Sequence, residues 1–176
     1  NSDQLSDRFC KAAEAAGAEV QSHTLRALRF QGCINLRHCK TGGQSCGQDD
    51  GLSPVLQAVR DADIVVLSTP VYFCNMSGLL KQASDRFFSF LVPDYVTAAE
   101  PSRLGRGKTL VLVQVQGEGP ERYGDLLEQY GPALDTLGFE RRELIRACGV
   151  REPDEVLGQI DVLERTDALA QELAGP

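Results

Sequence analysis

The sequence predicts an α/β domain built on an open, doubly wound parallel sheet, and three observations carry that expectation. Ile64-Val65-Val66-Leu67 is a continuous β-branched run, the pattern of a strand buried on both faces, and Thr109 to Val115 (TLVLVQV) reads as a strand buried on at least one face. Stretches of helical period separate the strand-like runs, so helix and strand alternate along the chain. That order implies right-handed βαβ crossovers with helices on both faces of the sheet. The length of 176 residues, with 42% hydrophobic and 24% charged side chains, allows one domain with a substantial core and is short for two.

The elements follow in order. Leu5, Phe9, Ala12, Ala13 and Ala16 recur at helical spacing, with Asn1 or Ser2 as the cap and Gly17 as the stop. Ala18 to Leu25 alternates weakly and suits a strand near a sheet edge. Gln31 to Gly51, rich in Gly, Cys, Asn, Gln and Asp, is a 21-residue loop of a length that is usually functional. Ser53-Pro54 starts a helix, with Ser53 as cap and Pro54 at its first position. The strand from Ile64 breaks off in Thr69-Pro70-Val71-Tyr72, and Leu79, Leu80, Ala83, Phe87 and Phe90 stripe the next helix. After Val115 come a polar turn, a helix through Leu126 to Leu137 ended by Gly138, a partly polar strand from Phe139 to Cys148, and a terminal helix to Leu173. A doubly wound sheet ordinarily begins with a strand. In the order 2-1-3-4-5 that strand would lie between those at Val20 and Ile64, so a first strand and a phosphate-holding turn are expected upstream of Asn1.

With 25 acidic and 18 basic side chains the net charge is −7, which argues against a general affinity for nucleic acid or anionic membranes. Arg103, Arg106 and Lys108, between glycines, read as a solvated loop. No apolar stretch approaches the roughly 20 residues of a membrane span and Asn1-Ser2-Asp3-Gln4 does not resemble a signal peptide, so a cytoplasmic location is expected.

Ligands of open α/β sheets bind beyond the carboxyl ends of the strands. Asn1 and Ser2, at a helix N-terminus, suit a phosphate as well as a simple cap. The loop Thr69 to Gly78 combines a rigid Pro70 with adjacent aromatics. Tyr72 and Phe73 can pack on a flat heterocycle, while the backbone from Val71 through Cys74 to Asn75 offers N–H donors to its polar edge. Ordinary loop packing explains the aromatics equally well. Asn75 and Ser77 read more simply as turn and cap, and Cys74 as a small side chain beside the ligand. Neither His23 nor His38 has the context of a catalytic triad.

The stretch Asp63 to Tyr72, continued by Ser77, Leu80-Lys81 and Asp85-Arg86, closely resembles the flavodoxin-like NAD(P)H-dependent FMN reductase family, including its iron-sulfur flavoproteins. Asn1-Ser2 is similar to the end of that family's phosphate loop, and the resemblance runs to about Val115. It implies a flavodoxin-like fold and bound FMN, with the phosphate near Asn1 and Ser2 and the ring against Thr69, Pro70, Val71, Tyr72, Phe73, Cys74 and Asn75 on one side and Gln116-Gly117 on the other. Lys81, Asp85 and Arg86 are then helix and subunit contacts. NAD(P)H is the transient electron donor, since no GxGxxG fingerprint is present, and hydride chemistry at the flavin needs no acid-base pair from the protein. The acceptor is a quinone, a nitro or azo compound, a metal ion or another protein. A flavodoxin-like electron carrier without NAD(P)H activity is the alternative, and a regulatory relic without flavin a third. The aromatics at Tyr72, Phe73, Phe87, Phe88, Phe90 and Tyr95 exceed the needs of one helix, so a homodimer or homotetramer is expected.

The family's iron-sulfur members carry four cysteines in the long loop. Here Cys33, Cys39 and Cys46 are present, but Leu36 stands at the second ligand position and cannot donate to iron. That argues against an iron-sulfur cluster. A three-iron cluster, an outside ligand, or zinc held with His38 stays open, and free thiols are the favoured reading.

Overall fold

The computed structural model describes residues 1–175. Helix α1 (Ser2–Ala15) buries Leu5, Phe9 and Ala13 along one stripe. The extended segment at residues 18–24 pairs with no strand and runs into a short 3₁₀ turn, Leu25–Ala27. The strand expected there is therefore not formed: extended backbone becomes a strand only through a ladder, and none of the described strands lies beside it. After the long loop come α2 (Ser53–Asp61) and strand β1 (Ile64–Tyr72). Ser53 lies one position inside the helix rather than at the cap, and its Oγ accepts the Asp50 amide at 3.1 Å.

At Tyr72 the chain does not leave the sheet. It folds back as a two-residue strand, β2 (Asn75–Met76), antiparallel to the end of β1 with Val71 opposite Met76 and Tyr72 opposite Asn75. Ser77 then caps α3 (Gly78–Asp85), its hydroxyl accepting the Leu80 amide at 3.3 Å as the sequence predicts. The helix tightens into a 3₁₀ turn over Arg86–Phe90. Strand β3 (Lys108–Val115) is buried at all eight residues, more completely than its sequence alone required. The helix expected over 126–137 is broken at Gly131-Pro132 into α4 (Leu126–Gln129) and α5 (Gly131–Leu137), because Pro132 has no amide to continue the ladder. Gly138 ends α5 at φ +92°, and a Cβ there would meet the Gly105 carbonyl oxygen at 2.2 Å, so both conformation and space demand glycine. Strand β4 (Phe139–Ala147) and helix α6 (Ile160–Ala174) complete the described chain.

The sheet order is β2-β1-β3-β4, with β1, β3 and β4 parallel and adjacent in chain order. Alternation along β3 divides the core. Leu110 and Leu112 face α2, α3 and α5, whereas Val111, Val113 and Val115 face α1 and α6. This is the open, doubly wound arrangement that the alternating sequence predicts.

Two cations expected in a solvated loop are internal struts. Lys108 is buried and donates to the Arg60 and Ala62 carbonyls, and Arg103 donates to Ser89 O at 2.8 Å and to Cys39 O at 3.0 Å. Arg106 alone of the three is free of the core, paired with Glu100 at the surface.

Candidate functional site

Among the described residues six non-glycine residues have positive φ: Asn35, Arg37, Phe73, Cys74, Tyr123 and Asp154. Phe73, Cys74, Tyr123 and Asp154 lie in the loops that follow β1, β3 and β4, at the carboxyl ends of the strands, whereas Asn35 and Arg37 lie in the long loop before α2, beside Phe88. Backbone held in the left-handed region costs on the order of 1 kcal/mol or more per residue and concentrates where a site demands it.

Phe73 (φ +48°) and Cys74 (φ +65°) are the two corner residues of the β1–β2 hairpin, a type I′ turn that Asn-Gly would form with least strain. An aromatic ring there is doubly unfavourable, because Phe73 is also fully exposed at 103% and Tyr72 beside it is 65% exposed. The turn is anchored from across the sheet. Tyr130 Oη donates to Asn75 Oδ1 at 2.7 Å, and Tyr123 Oη meets Cys74 Sγ at 3.4 Å. That contact with Cys74 pushes the Tyr123 hydroxyl above its ordinary pKa. Tyr123 and Tyr130 were not singled out from the sequence. The surplus of aromatics after a buried strand was the available signal, but which loop they face depends on the crossover.

The loop after β3 is built around a buried carboxamide. Gln116 Nε2 donates to the carbonyls of Gly119 and Arg122 at 2.9 and 3.0 Å, while Gln114 Nε2 donates to Gln116 Oε1 at 2.6 Å and to Tyr123 O at 2.9 Å. Gln116 is thus spent on shaping the loop, with its side chain turned inward, and Gly117 O accepts from Arg151 Nε at 3.0 Å. Thr69 is likewise internal. Its hydroxyl donates to Pro70 O and accepts the Ser77 amide at 2.9 Å, which fastens the base of the hairpin.

The N-terminus of α1 meets the same edge, where Ser68 Oγ donates to Ser2 O at 2.9 Å. Asn1 precedes the helix but does not cap it through its side chain. Its amide group bridges to Glu152 O at 2.8 Å and from the Val156 amide at 3.2 Å. The first-turn amides of α1 have no carbonyl within the helix to bond, and the acid closest to them, Asp3, is engaged by Arg26 at 2.8 Å. This donor set suits a phosphate. Tyr72 lies four residues along β1 from Ser68, about 13 Å at strand rise, which leaves the exposed aromatics a nucleotide's length from those amides. The residues present therefore fit FMN.

Cys33, Cys39 and Cys46 line one small cavity with Ile34, Leu36, His38 and Phe88. Among the described residues no group of His, Cys, Asp or Glu side chains is placed to hold a metal ion. The loop is instead clamped by Arg86, whose side chain is fully buried. Arg86 bonds Asp50 Oδ2 at 2.9 Å, Gln31 O at 3.0 Å, Gln48 O at 2.9 Å and Cys46 Sγ at 3.0 Å. Arg86 is consequently an internal clamp rather than a subunit contact; Lys81 and Asp85 form an exposed ion pair on α3. Burial works to raise the Asp50 carboxyl, but the bonds from Arg86 and the Leu52 amide outweigh it and hold the group below its usual range. Lys40 sits over the Phe88 ring at 4.1 Å and donates to Phe88 O at 2.7 Å; burial lowers its pKa against the opposing influence of Cys39. Phe87 and Phe90 are core residues and Phe88 packs edge-on to Tyr95, so of the aromatics expected to form an oligomer face only Tyr72 and Phe73 are strongly exposed.

The carboxyl edge of an open α/β sheet, here with a helix N-terminus and an aromatic turn, is the kind of place where such sheets take ligands, and comparison gives the family. Residues 1–137 match the family described as NADPH-dependent FMN reductase, and the chain belongs to that family. It is similar to an iron-sulfur flavoprotein of Archaeoglobus fulgidus, 33% identical over 82 residues that cover 47% of this chain and 40% of the relative. It is also similar to an FMN-dependent NADH:quinone oxidoreductase of Xanthomonas oryzae pv. oryzae, 31% identical over 123 residues, 69% of this chain and 59% of the relative. The alignments with the first of the iron-sulfur flavoproteins span only about 40% of those proteins' length. In fold it is similar to an FMN-dependent NADH-azoreductase from Bacillus anthracis in complex with FMN, with a TM-score of 0.68 at 18% identity over 99% of this chain and 91% of that one. The fold is accordingly flavodoxin-like.

Proposed function

We propose that this chain binds FMN at the carboxyl edge of its sheet and serves an NAD(P)H-dependent oxidoreductase whose acceptors are flat conjugated molecules, quinones and azo compounds foremost. The observation that carries the reading is the strained Phe73-Cys74 turn, with Tyr72 and Phe73 exposed and the turn braced by Tyr123 and Tyr130, on the strand whose Ser68 meets the α1 N-terminus. Membership of the FMN reductase family, and relatives named as FMN-dependent quinone oxidoreductase and azoreductase, support it.

In this reading the α1 amides and the Ser2 hydroxyl hold the phosphate. Tyr72 and Phe73 offer ring faces to the isoalloxazine, and the constrained backbone from Val71 to Asn75 donates to its polar edge. Thr69 and Gln116 act indirectly, by fixing the hairpin and the loop that carry these groups. The flavin, when bound, supplies the two-electron chemistry. The same open edge that receives NAD(P)H then receives the acceptor, so the two occupy it in turn. A homodimer or homotetramer is proposed with it, Phe73 and Tyr72 being apolar surface that a second copy can cover. Among the described residues no helix is long and apolar enough to cross a membrane.

Titration of the purified protein with FMN tests the reading: quenching of flavin fluorescence at one equivalent, followed by bleaching on addition of NADH or NADPH, is expected. Protein that never takes up FMN refutes the site. Flavin that binds but is not bleached points to the electron carrier.

A further inference from the structure

We propose that Gln114 is a positioning residue for the aromatic hairpin and acts through Tyr123; the inference rests on the flavin reading for what the hairpin is positioned to meet. Gln114 ends the row Leu110, Leu112, Gln114 along one face of β3, and both leucines belong to the core on that face. The Gln114 side chain is completely buried, and its Oε1 has no hydrogen-bond partner among the described residues. An apolar residue of the same volume would continue the row without an orphaned acceptor, which is costly inside a protein. What the carboxamide adds here is its Nε2, which donates to Tyr123 O at 2.9 Å and to Gln116 Oε1 at 2.6 Å.

Tyr123 stands at φ +56°, a conformation that a tyrosine keeps only where its surroundings impose it. The other backbone donor to its carbonyl, the Leu126 amide, is 3.4 Å away and long for such a bond, so Gln114 supplies the stronger hold. From this backbone the phenol reaches the β1–β2 hairpin, where Tyr123 Oη meets Cys74 Sγ at 3.4 Å at one of the two corners.

Strands β1 and β3 run in parallel register with Thr69 opposite Gln114. One rung of the sheet therefore fixes the hairpin twice. Thr69 Oγ accepts the Ser77 amide at 2.9 Å, just past the returning strand, and Gln114 holds the corner by way of Tyr123. Tyr130 adds a third tie at Asn75, but it sits between α4 and α5 and makes no bond to Gln114. Loss of the Gln114 donor frees the corner that carries Phe73 and Cys74 while the base stays fastened.

Gln114→Met, Tyr123→Phe and the double variant test the proposal. FMN affinity, read by fluorescence quenching, is expected to fall about tenfold in each single variant and no further in the double one, because both changes remove the same tie. Protein without flavin gives a second readout. The Tyr123 phenol, identified as the titration missing from Tyr123→Phe, lies above the ordinary tyrosine range chiefly through its contact with Cys74, with lesser and opposed influences from Glu118 and Arg122. Ultraviolet titration of Gln114→Met should find it moved back toward the ordinary value. If Gln114→Met does not fold, Gln114→Asn, which keeps the amide on a stem one methylene shorter, is read in the same way. The proposal is overturned if the Gln114 variant leaves either the phenol titration or the FMN affinity as in wild type. It is equally overturned if the two losses multiply to about a hundredfold in the double variant, which would mean that Gln114 acts by a route other than Tyr123. Wild-type protein that takes up no FMN refutes the flavin site alone, since the phenol titration still decides whether Gln114 sets the hairpin.

Discussion

Replacing Arg86 by Met keeps the volume of the side chain and removes its charge and all its donors. What remains is the Asp50 carboxylate, the carbonyls of Gln31 and Gln48, and the Cys46 sulfur, all previously bonded at 2.9 to 3.0 Å. Breaking one member of a buried ion pair costs about 3–5 kcal/mol. Asp50 keeps the Leu52 amide at 3.0 Å and its side chain is 20% exposed, so water and one amide relieve part of the cost and the lower end, about 3 kcal/mol, is expected. With a urea slope of about 2 kcal/mol/M for a chain of this size, the midpoint should fall by about 1.5 M. The loss should also depend on pH. Asp50 is held below its ordinary value in the folded protein, so its contribution is fully present above about pH 4, near the unfolded carboxyl pKa, and is lost as pH falls through the folded value. The gap between wild type and Arg86→Met should therefore narrow on acidification. A midpoint shift below about 0.5 M at neutral pH, or a gap that widens in acid, would refute the account of Arg86 as the clamp of the cysteine loop.

Other outcomes follow from the carboxyl edge. Phe73→Gly removes a bulky residue from a left-handed corner, so the protein without flavin should gain about 1 kcal/mol in thermal unfolding while FMN affinity, read by fluorescence quenching, drops about tenfold. Gln116→Ala leaves the Gly119 and Arg122 carbonyls without their donor, costing about 2 kcal/mol and exposing the 117–123 loop to proteases in limited digestion. Tyr130→Phe deletes the 2.7 Å bond to Asn75 and should cost about 1 kcal/mol by denaturant unfolding, with faster amide exchange confined to the hairpin. Gly138→Ala should destabilise by more than about 2 kcal/mol in thermal melts, since its new methyl meets the Gly105 carbonyl.

The strands β1 and β3 were legible because their runs are continuous and β-branched, and a central parallel strand needs little else, while β4 (FERRELIRA) was legible only as a partly polar strand after the Gly138 stop. Residues 18–24 misled for the complementary reason: their weak alternation describes an edge, and an edge exists only if a neighbour pairs with it. The β2 return was hidden because Phe73-Cys74 is a poor type I′ pair by propensity, so nothing local announces the turn. The same gap affects the candidate site. Tyr72 and Phe73 are exposed at the strand end, whereas Thr69 and Gln116 turn inward and Tyr123 and Tyr130 reach the hairpin from beyond β3. Polar side chains at strand ends are ambiguous in sequence, since a buried carboxamide that shapes a loop and one that meets a ligand have the same composition.

The gathering of the left-handed residues Phe73, Cys74, Tyr123 and Asp154 in the loops beyond β1, β3 and β4 gives the molecule a soft pole and a hard one. Opening a loop there releases unfavourable backbone energy that partly compensates the bonds lost, while every residue of β3 is buried and released only with the whole sheet. Amide exchange should consequently grade from fast at the hairpin and the 117–123 loop to globally limited along Lys108–Val115. A ligand that settles on the soft pole would protect amides it never touches, simply by making those openings rarer.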